Sequence, residues 1–396
     1  MGGGLMQLVA YGAQDIYLTG QPQITFFKSV YRRHTNFSME SIVQTIQGTV
    51  GAGKRVGVTV ARNGDLILGV TAEVTPNTTT SNFTGFEGNL MSLFNRAELE
   101  IGGQLIDRLY SDWMAAWASL SQRHSDTDPF AMIQNPTYSP AGGKVFIPLP
   151  FFFHQNPGLA IPLVALQYHE VKFNLELVDD AATAATATKR YSWLVDATAN
   201  DLKVYVDYAY LDTTERRKFA QNAHEYLITQ HQQQVQTVPS SGGVASNVDM
   251  QLRFNHPVKF LCWQLQDLVN TGGAQDKAAG EFFQRTLNYG TAKLTLNGHD
   301  RFTARRETYF MNKQFLDSWS GQIHPNSYAR DWSVYSFSLN PAEHQPSGTC
   351  NFSRIDNAQL KLTGVATTVS TPLRVHAENY NVLRIMSGMG GLAYSN

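Results

Sequence analysis

The sequence predicts an all-β protein made of two similar eight-stranded sandwiches in tandem, with short helices confined to the loops. Three observations carry this. The stretch Ala97-Glu98-Leu99-Glu100-Ile101-Gly102-Gly103 alternates apolar and polar residues and ends in glycine, the two-residue period of a strand with one buried face closed by a turn. About half the chain further on, Ala292-Lys293-Leu294-Thr295-Leu296-Asn297-Gly298 repeats the pattern. The strand candidates around the two copies also repeat, in the same order.

A chain of 396 residues has two domains as its natural organisation. Hydrophobic residues at 42% suffice for two cores, while charged residues at 16% fall below the usual quarter. The net charge of −1 argues against a basic nucleic-acid binder. Cys262 and Cys350 are too few for a disulfide framework and read as reduced thiols. Met1 is followed by glycines rather than by a basic and then an apolar run, so no secretory signal is expected. Met6 stands where a myristoylation signal needs Ser or Thr. The longest apolar run, 145–153, holds Pro148 and Pro150 and falls well short of the roughly 20 residues of a membrane-spanning helix.

Taken in order, residues 1–24 are glycine-rich and then mildly apolar. They are expected to form an arm that packs against another surface, with Leu5, Met6, Leu8 and Tyr11 as candidate assembly contacts. The first sandwich is expected over 25–211. Residues 38–47 and 56–60 alternate as strands, and 66–74 is nearly continuous and reads as more buried. Gly48 to Arg55 mimics a phosphate-binding loop, but Arg55 replaces the hydroxyl residue and a strand rather than a helix follows, so a hairpin loop is expected. Strands at 97–101 and 105–110 precede a short helix capped by Ser111 or Asp112, with Trp113, Met114, Trp117 and Leu120 on its core side. Residues 121–144 read as loop. The run 145–153 reads as an edge strand because of its prolines. Strands at 171–177 and 202–210 complete the eight, separated by a surface loop over 179–200.

Residues 212–224, with Asp212-Thr213-Thr214-Glu215-Arg216-Arg217-Lys218-Phe219, form a charged, helix-permissive connector. Arg216 and Arg217 are candidate polar contacts in assembly. The second sandwich is expected over 225–396 and retraces the first. Strands at 226–238, 248–254, 258–265, 292–296, 301–304, 334–339, 358–362 and 373–378 match the first eight in order, and a helix carrying Tyr309, Phe310, Phe315 and Leu316 matches the Trp113 helix. Eight strands per half, duplicated, read as two jelly-rolls.

No catalytic residues, metal ligands or cofactor site are predicted. The 11 histidines are scattered, no zinc spacing occurs, and there is no Gly-x-Ser-x-Gly elbow. Asp179-Asp180 reads as a solvated turn. Asn36, Asn77, Asn82 and Asn351 each open an Asn-x-Ser/Thr sequon; Asn77, Asn82 and Asn351 are the candidate glycosylation positions.

Three stretches carry a family resemblance. They are Gly12-Ala13-Gln14-Asp15 with Leu18-Thr19-Gly20 and Pro22 to Phe37; Leu211 to Ile228; and Asn379 to Ala393. In these the chain resembles the major capsid proteins of nucleocytoplasmic large DNA viruses, such as iridoviruses, phycodnaviruses and mimivirus. The resemblance implies a double jelly-roll that forms a homotrimer, a pseudo-hexagonal capsomer tiling an icosahedral shell over an internal membrane. It implies neighbouring capsomers, minor capsid and penton proteins as partners, the inner membrane as an indirect one, and no sequence-specific contact with nucleic acid. It places the protein in the virion, made and assembled in the host cytoplasm. A minor capsid or scaffold protein of the same fold is the alternative within that class. A carbohydrate-binding or hydrolytic β-sandwich is the alternative outside it, but that needs a carboxylate pair or an aromatic platform in one groove, and the sequence places neither.

Overall fold

The computed structural model describes residues 3–27, 29–75, 93–121, 144–179, 201–265, 289–319, 332–367 and 370–395. The chain divides into two compact units, Met1–Asn36 and Phe37–Asn396. The first holds the short helices Gly3–Val9 and Ile16–Thr19, neither with a buried residue. Asp15 organises the turn between them: its Oδ2 accepts from the Gly12 amide at 2.7 Å, and its carbonyl accepts from the Thr19 hydroxyl at 2.7 Å.

The second unit begins with the first lobe: β1 (Phe37–Gln44), β2 (Ile46–Gln47), β3 (Arg55–Thr59), β4 (Leu66–Val74), β5 (Phe94–Ile101), β6 (Gln104–Tyr110), β7 (Val145–Pro148), β8 (Ile161–Pro162), β9 (Val171–Leu177) and β10 (Lys203–Leu211). One sheet runs β1-β10-β4-β7 with β8 also on β4, and the other runs β2-β3-β9-β5-β6. The helix Thr213–Gln221 leads into the second lobe. This comprises β11 (His224–Val238), β12 (Ala245–Leu252), β13 (Pro257–Leu265), β14 (Thr291–Leu296), β15 (His299–Asp300), β16 (Arg305–Arg306), β17 (Ser333–Ser336), β18 (Cys350–Asn351), β19 (Ala358–Ala366), β20 (Thr371–Met386) and β21 (Met389–Leu392). Its sheets run β11-β20-β13-β17 and β12-β19-β14-β15, with β18, β21 and β16 as short additions. Strand for strand the two lobes share one order, that of a jelly-roll.

The duplication extends to single residues. In the first lobe Ala97, Leu99 and Ile101 lie opposite Leu175, Phe173 and Val171; in the second, Ala292, Leu294 and Leu296 lie opposite Leu362, Leu360 and Ala358. Both hairpins turn on a pair of residues with positive φ, Gly102 (59°) and Gly103 (81°) in one and Asn297 (48°) and Gly298 (80°) in the other. This is the backbone that a two-residue hairpin loop matched to strand twist requires. The Gly102 amide donates to the Glu170 carbonyl at 2.9 Å, as the Asn297 amide does to the Asn357 carbonyl at 2.7 Å. A β-bulge is duplicated too: Leu68 is skipped where β4 pairs with β10, and Lys259 where β13 pairs with β20.

A third duplicated device joins the two sheets of each lobe. The Gln44 side-chain carbonyl accepts from the Ala61 amide, and the matched Gln234 side-chain carbonyl accepts from the Arg253 amide, both at 2.9 Å. The second lobe extends it. Alternate glutamines of β11 reach the open edge of β12 and the segment that follows it: Gln236 donates to the Asp249 carbonyl (3.3 Å), Gln234 to Gln251 (2.7 Å) and, past the strand's end, Gln232 to Asn255 (2.8 Å). Side-chain amides thus stand in for a missing strand at a sheet edge.

Several expectations are corrected. The strand expected at 145–153 stops at Pro148, because Pro150 cannot donate to a ladder; Phe152 and Phe153 belong to the short helix Phe152–Gln155 and are buried. Its predicted edge position holds. No strand spans 301–304; the chain pairs with β14 on either side of it, as β15 and β16. The strand expected at 373–378 runs on to Met386 and forms a hairpin with β21. Asp112 does not cap the helix Ser111–Ser121 from outside but lies within its first turn. Glu98 is buried rather than solvated, bracketed by Arg55 at 2.5 Å and Arg108 at 2.7 Å. The hairpin loop between β2 and β3 is as expected. The loops expected at 121–144 and 179–200 fall almost wholly outside the described residues.

The turn supports a graded prediction. A Cβ at Gly103 meets nothing within 4 Å, whereas one at Gly102 falls 2.4 Å from the His169 ring. Gly103→Ala should cost only the left-handed backbone term, about 1–2 kcal/mol, and Gly102→Ala clearly more. Urea unfolding of the two variants checks this; equal losses would refute the close approach.

Candidate assembly interface

The predicted contact residues are placed as follows. Leu5, Met6 and Leu8 lie on the helix Gly3–Val9, and they and Tyr11 are all more than half exposed. Arg216 is turned inward on its own chain. Its guanidinium grips the buried Asp65 carboxylate through Nε (2.9 Å) and Nη2 (3.0 Å), while the Leu211 amide donates to the same carboxylate at 2.8 Å. The ion pair fastens the connector helix to the first lobe. Arg216 is half exposed, so its contribution is modest. Arg217 is exposed. Asn77 and Asn82 lie outside the described residues. Asn351 is exposed on β18, and its side chain accepts from the Ser353 amide at 3.0 Å; the sequon hydroxyl of Ser353 accepts from the His256 amide at 2.8 Å.

Sequence reasoning missed the seam between the lobes. The outer face of the β11-β20-β13-β17 sheet is as dry as its inner face. Along β13, Leu261, Trp263 and Leu265 enter the second lobe's own core, while Phe260 and Cys262 join the first lobe's core. On β17, Tyr335 and Val334 divide the same way. The cover is the helix Ser111–Ser121 together with β6. Trp113 packs against Phe260 with ring centroids 5.8 Å apart and stacks on His231 at 4.3 Å.

A polar cluster crosses this seam. Asp112 is 1% exposed, and its Oδ2 accepts from Gln233 Nε2 (2.6 Å) and Arg374 Nη1 (3.0 Å), with His376 Nε2 3.1 Å away. His376 Nδ1 meets His231 Nε2 at 3.1 Å, and His231 Nδ1 meets the Arg108 carbonyl at 3.3 Å. Burial pushes the Asp112 pKa up, but His376 and Arg374 more than offset this and hold the carboxyl well below its usual range. Burial, with His376 beside it, keeps His231 neutral well below its ordinary pKa. Nearby, the backbone amides of Arg108 (2.8 Å) and His231 (3.1 Å) donate to Asp107, yet burial pushes its carboxyl up to about 7. Gln230 donates to the Ile106 carbonyl. Such a cluster fixes how two lobes sit. The only sequence signal for it was Asp112 next to Trp113, since its histidines are joined by folding alone. Among the described residues no group of three or more His, Cys, Asp or Glu side chains is arranged to hold a metal.

Two expectations follow for the seam. Asp112→Ala strands Arg374 and His376 in a dry interface and should cost about 3–5 kcal/mol in chemical denaturation. Asp107 has a folded pKa raised from 3.8 to about 7, so its contribution is intact below pH 3.8 and is lost as pH rises toward 7. Asp107→Asn keeps the acceptor and removes that loss. Its stability relative to the parent should improve by about 1–3 kcal/mol between pH 4 and pH 8. Parallel pH profiles would show that Asp107 titrates normally.

Comparison with known proteins matches this architecture throughout. A family model for the major capsid protein N-terminus matches residues 25–212, and one for the large eukaryotic DNA virus major capsid protein matches residues 215–391. The chain is 47% identical to the major capsid protein of Pyramimonas orientalis virus and 42% identical to that of Paramecium bursaria Chlorella virus 1, over the whole of each chain. The solved structure of PBCV-1 VP54 shares 37% identity and superposes with a TM-score of 0.75, covering 94% of this chain and 100% of that one. The Faustovirus major capsid protein shares the fold at 13% identity, with a TM-score of 0.70 over 97% of this chain and 96% of its own. Two jelly-rolls in tandem, matched from end to end, establish that the chain belongs to the major capsid proteins of the large eukaryotic DNA viruses.

Proposed function

We propose that the chain trimerises into a pseudo-hexagonal capsomer that tiles an icosahedral shell over an internal membrane, assembled in the host cytoplasm. The observation that carries this reading is the residue-level duplication within a capsid-protein family member. Three copies of a two-lobed unit supply six similar lobes, which pack hexagonally although the symmetry is threefold. In this reading the arm is 1–24, the lobes are 25–211 and 225–396, and 212–224 joins them. Neighbouring capsomers and minor capsid and penton proteins are the partners, the membrane is contacted only indirectly, and the protein works without catalysis, cofactor or sequence-specific nucleic acid.

The arm is the part reserved for the shell. Leu5, Met6, Leu8, Val9, Tyr11, Ile16, Tyr17 and Leu18 are all exposed, and each brings about 1.5–3 kcal/mol if fully buried on assembly.

Sedimentation of the purified protein should show trimers with little monomer, burying more than the roughly 2,000 Å² of an obligate interface, and electron microscopy should show hexagonal sheets. A stable monomer at micromolar concentration would defeat the capsomer reading. Deleting residues 2–20 should leave trimers with a nearly unchanged melting temperature but impair shell formation. Unfolding on deletion would place the arm in the core instead.

A further inference from the structure

Folding brings together what residue order does not show: an aromatic wall and a buried ion pair around one cavity. The cavity, about 430 Å³, lies at the seam and is lined by residues of both lobes. Its size is within the roughly 300–1,000 Å³ of small-molecule sites. Trp113 and Trp117 come from the helix Ser111–Ser121, Phe260 from β13, and Trp319 from just past the helix Gln314–Ser318. Their rings form a continuous wall. Trp113 and Phe260 have centroids 5.8 Å apart, and Phe260 meets Trp319 edge-to-face at 5.2 Å. The exposed Asn340 and Glu343 stand at the rim.

Lys259 and Glu378 line the same cavity, only 3% and 7% exposed, with Nζ 3.1 Å from Oε1. The backbone does not require a charge there, since the first lobe has the same bulge with Leu68 at the matching position. A buried ion pair is also a poor stabiliser, because desolvation takes back most of what Coulomb attraction gives. Nor is the pair saturated. An ammonium has three N–H donors, and among the described residues the one hydrogen-bond acceptor for Lys259 Nζ is Glu378 Oε1, with the Tyr380 ring 5.3 Å away. Among the same residues nothing donates to Glu378 Oε2. Two buried groups with unused hydrogen-bonding capacity thus border a cavity with an aromatic wall.

We propose that this cavity binds a neutral pyranose sugar, with the C–H face of the ring on the tryptophan wall and its hydroxyls on Lys259 and Glu378. Charge narrows the ligand first. The ammonium and the carboxylate already balance each other, so a charged ligand would leave a net charge in a buried place. A hydroxyl both donates and accepts, so it can accept from Nζ and donate to Oε2 without disturbing that balance. A purely apolar ligand would cover the rings but leave those polar groups desolvated and unpaired. A pyranose carries an apolar face of C–H groups and a rim of hydroxyls, the combination that an aromatic wall beside a balanced ion pair can hold. Asn340 and Glu343 offer further donors and acceptors to the outward hydroxyls. The site lies within one chain and is additional to the shell-forming role.

Saturation-transfer NMR on the purified protein tests this, with methyl α-D-glucopyranoside, methyl α-D-galactopyranoside, methyl α-D-mannopyranoside and free phenylalanine as probes. At least one glycoside should receive transfer, strongest at its ring C–H protons. Its dissociation constant should fall in the millimolar range, as expected for a ligand of about a dozen heavy atoms. Lys259→Met with Glu378→Leu removes both charges together, so neither is left unpaired. This variant should melt no lower than the parent, yet bind the glycoside at least about tenfold more weakly. Asn340→Ala with Glu343→Ala alters only exposed side chains, so it keeps the test open if the first variant fails to fold, and it should weaken binding about 3- to 10-fold. Transfer to phenylalanine but to no glycoside, or to no probe at all, would overturn the assignment. So would glycoside binding that is undiminished in the variants that fold.

Discussion

A β-sandwich ordinarily needs one dry face per sheet, because the other can meet water. The β11-β20-β13-β17 sheet breaks that economy by having two. Phe260, Cys262, Trp332 and Val334 on its outer side are as buried as Leu261 and Trp263 on its inner side. Each such side chain is worth about 1.5–3 kcal/mol when covered, so the second lobe cannot stand alone without a large loss. The rest of the arrangement answers that requirement. β6 is followed at once by a helix bearing Trp113, and the chain carries an acid to the same place, where Asp112 pairs with Arg374 and lies beside His376, charges that a fully apolar cover would strand.

Much of this was legible from residue alternation. A two-residue period marks a half-buried strand and a continuous run marks a doubly buried one, so the Ala97 and Ala292 stretches, and 66–74 with 258–265, were readable as what they are. The run 145–153 misled because apolar content alone does not separate strand from buried helix; its prolines decide the matter. The extension of β20 was hidden by Asn379 and Asn381. Their polarity suggests a turn, but each amide is buried against a glutamine of β11, Gln232 at 2.9 Å and Gln230 at 2.8 Å. The seam cluster was not legible. Asp112, His231 and His376 are far apart in the chain, and no local period announces residues that only tertiary structure assembles. Arg216, suggested as an assembly contact, holds the Asp65 carboxylate of its own chain, a pairing that no local pattern in the sequence announces.

The two lobes show how a duplicated backbone diverges by content. The bulge at Leu68 packs an apolar side chain against the small cluster of Leu66, Ala160 and Ala209, which Leu211 of β10 and Phe219 of the connector also cover. The same bulge at Lys259 buries an ammonium 3.1 Å from Glu378, with the Tyr380 ring 5.3 Å away. Geometry persisted while the neighbours changed, so one site fastens the connector and the other holds a charge pair at the seam.

The glutamines of β11 have a consequence beyond their own lobe. An open strand edge is an invitation to any other strand. Gln234 and Gln236 occupy the Gln251 and Asp249 carbonyls of β12, so part of that edge is already bonded when a neighbour's strand arrives. Copies crowded together are then left to recognise one another through side-chain shape and charge, which discriminate, rather than through backbone pairing, which does not. Orderly crystallisation into a lattice, instead of fibrous precipitation, is what such a molecule is disposed to do.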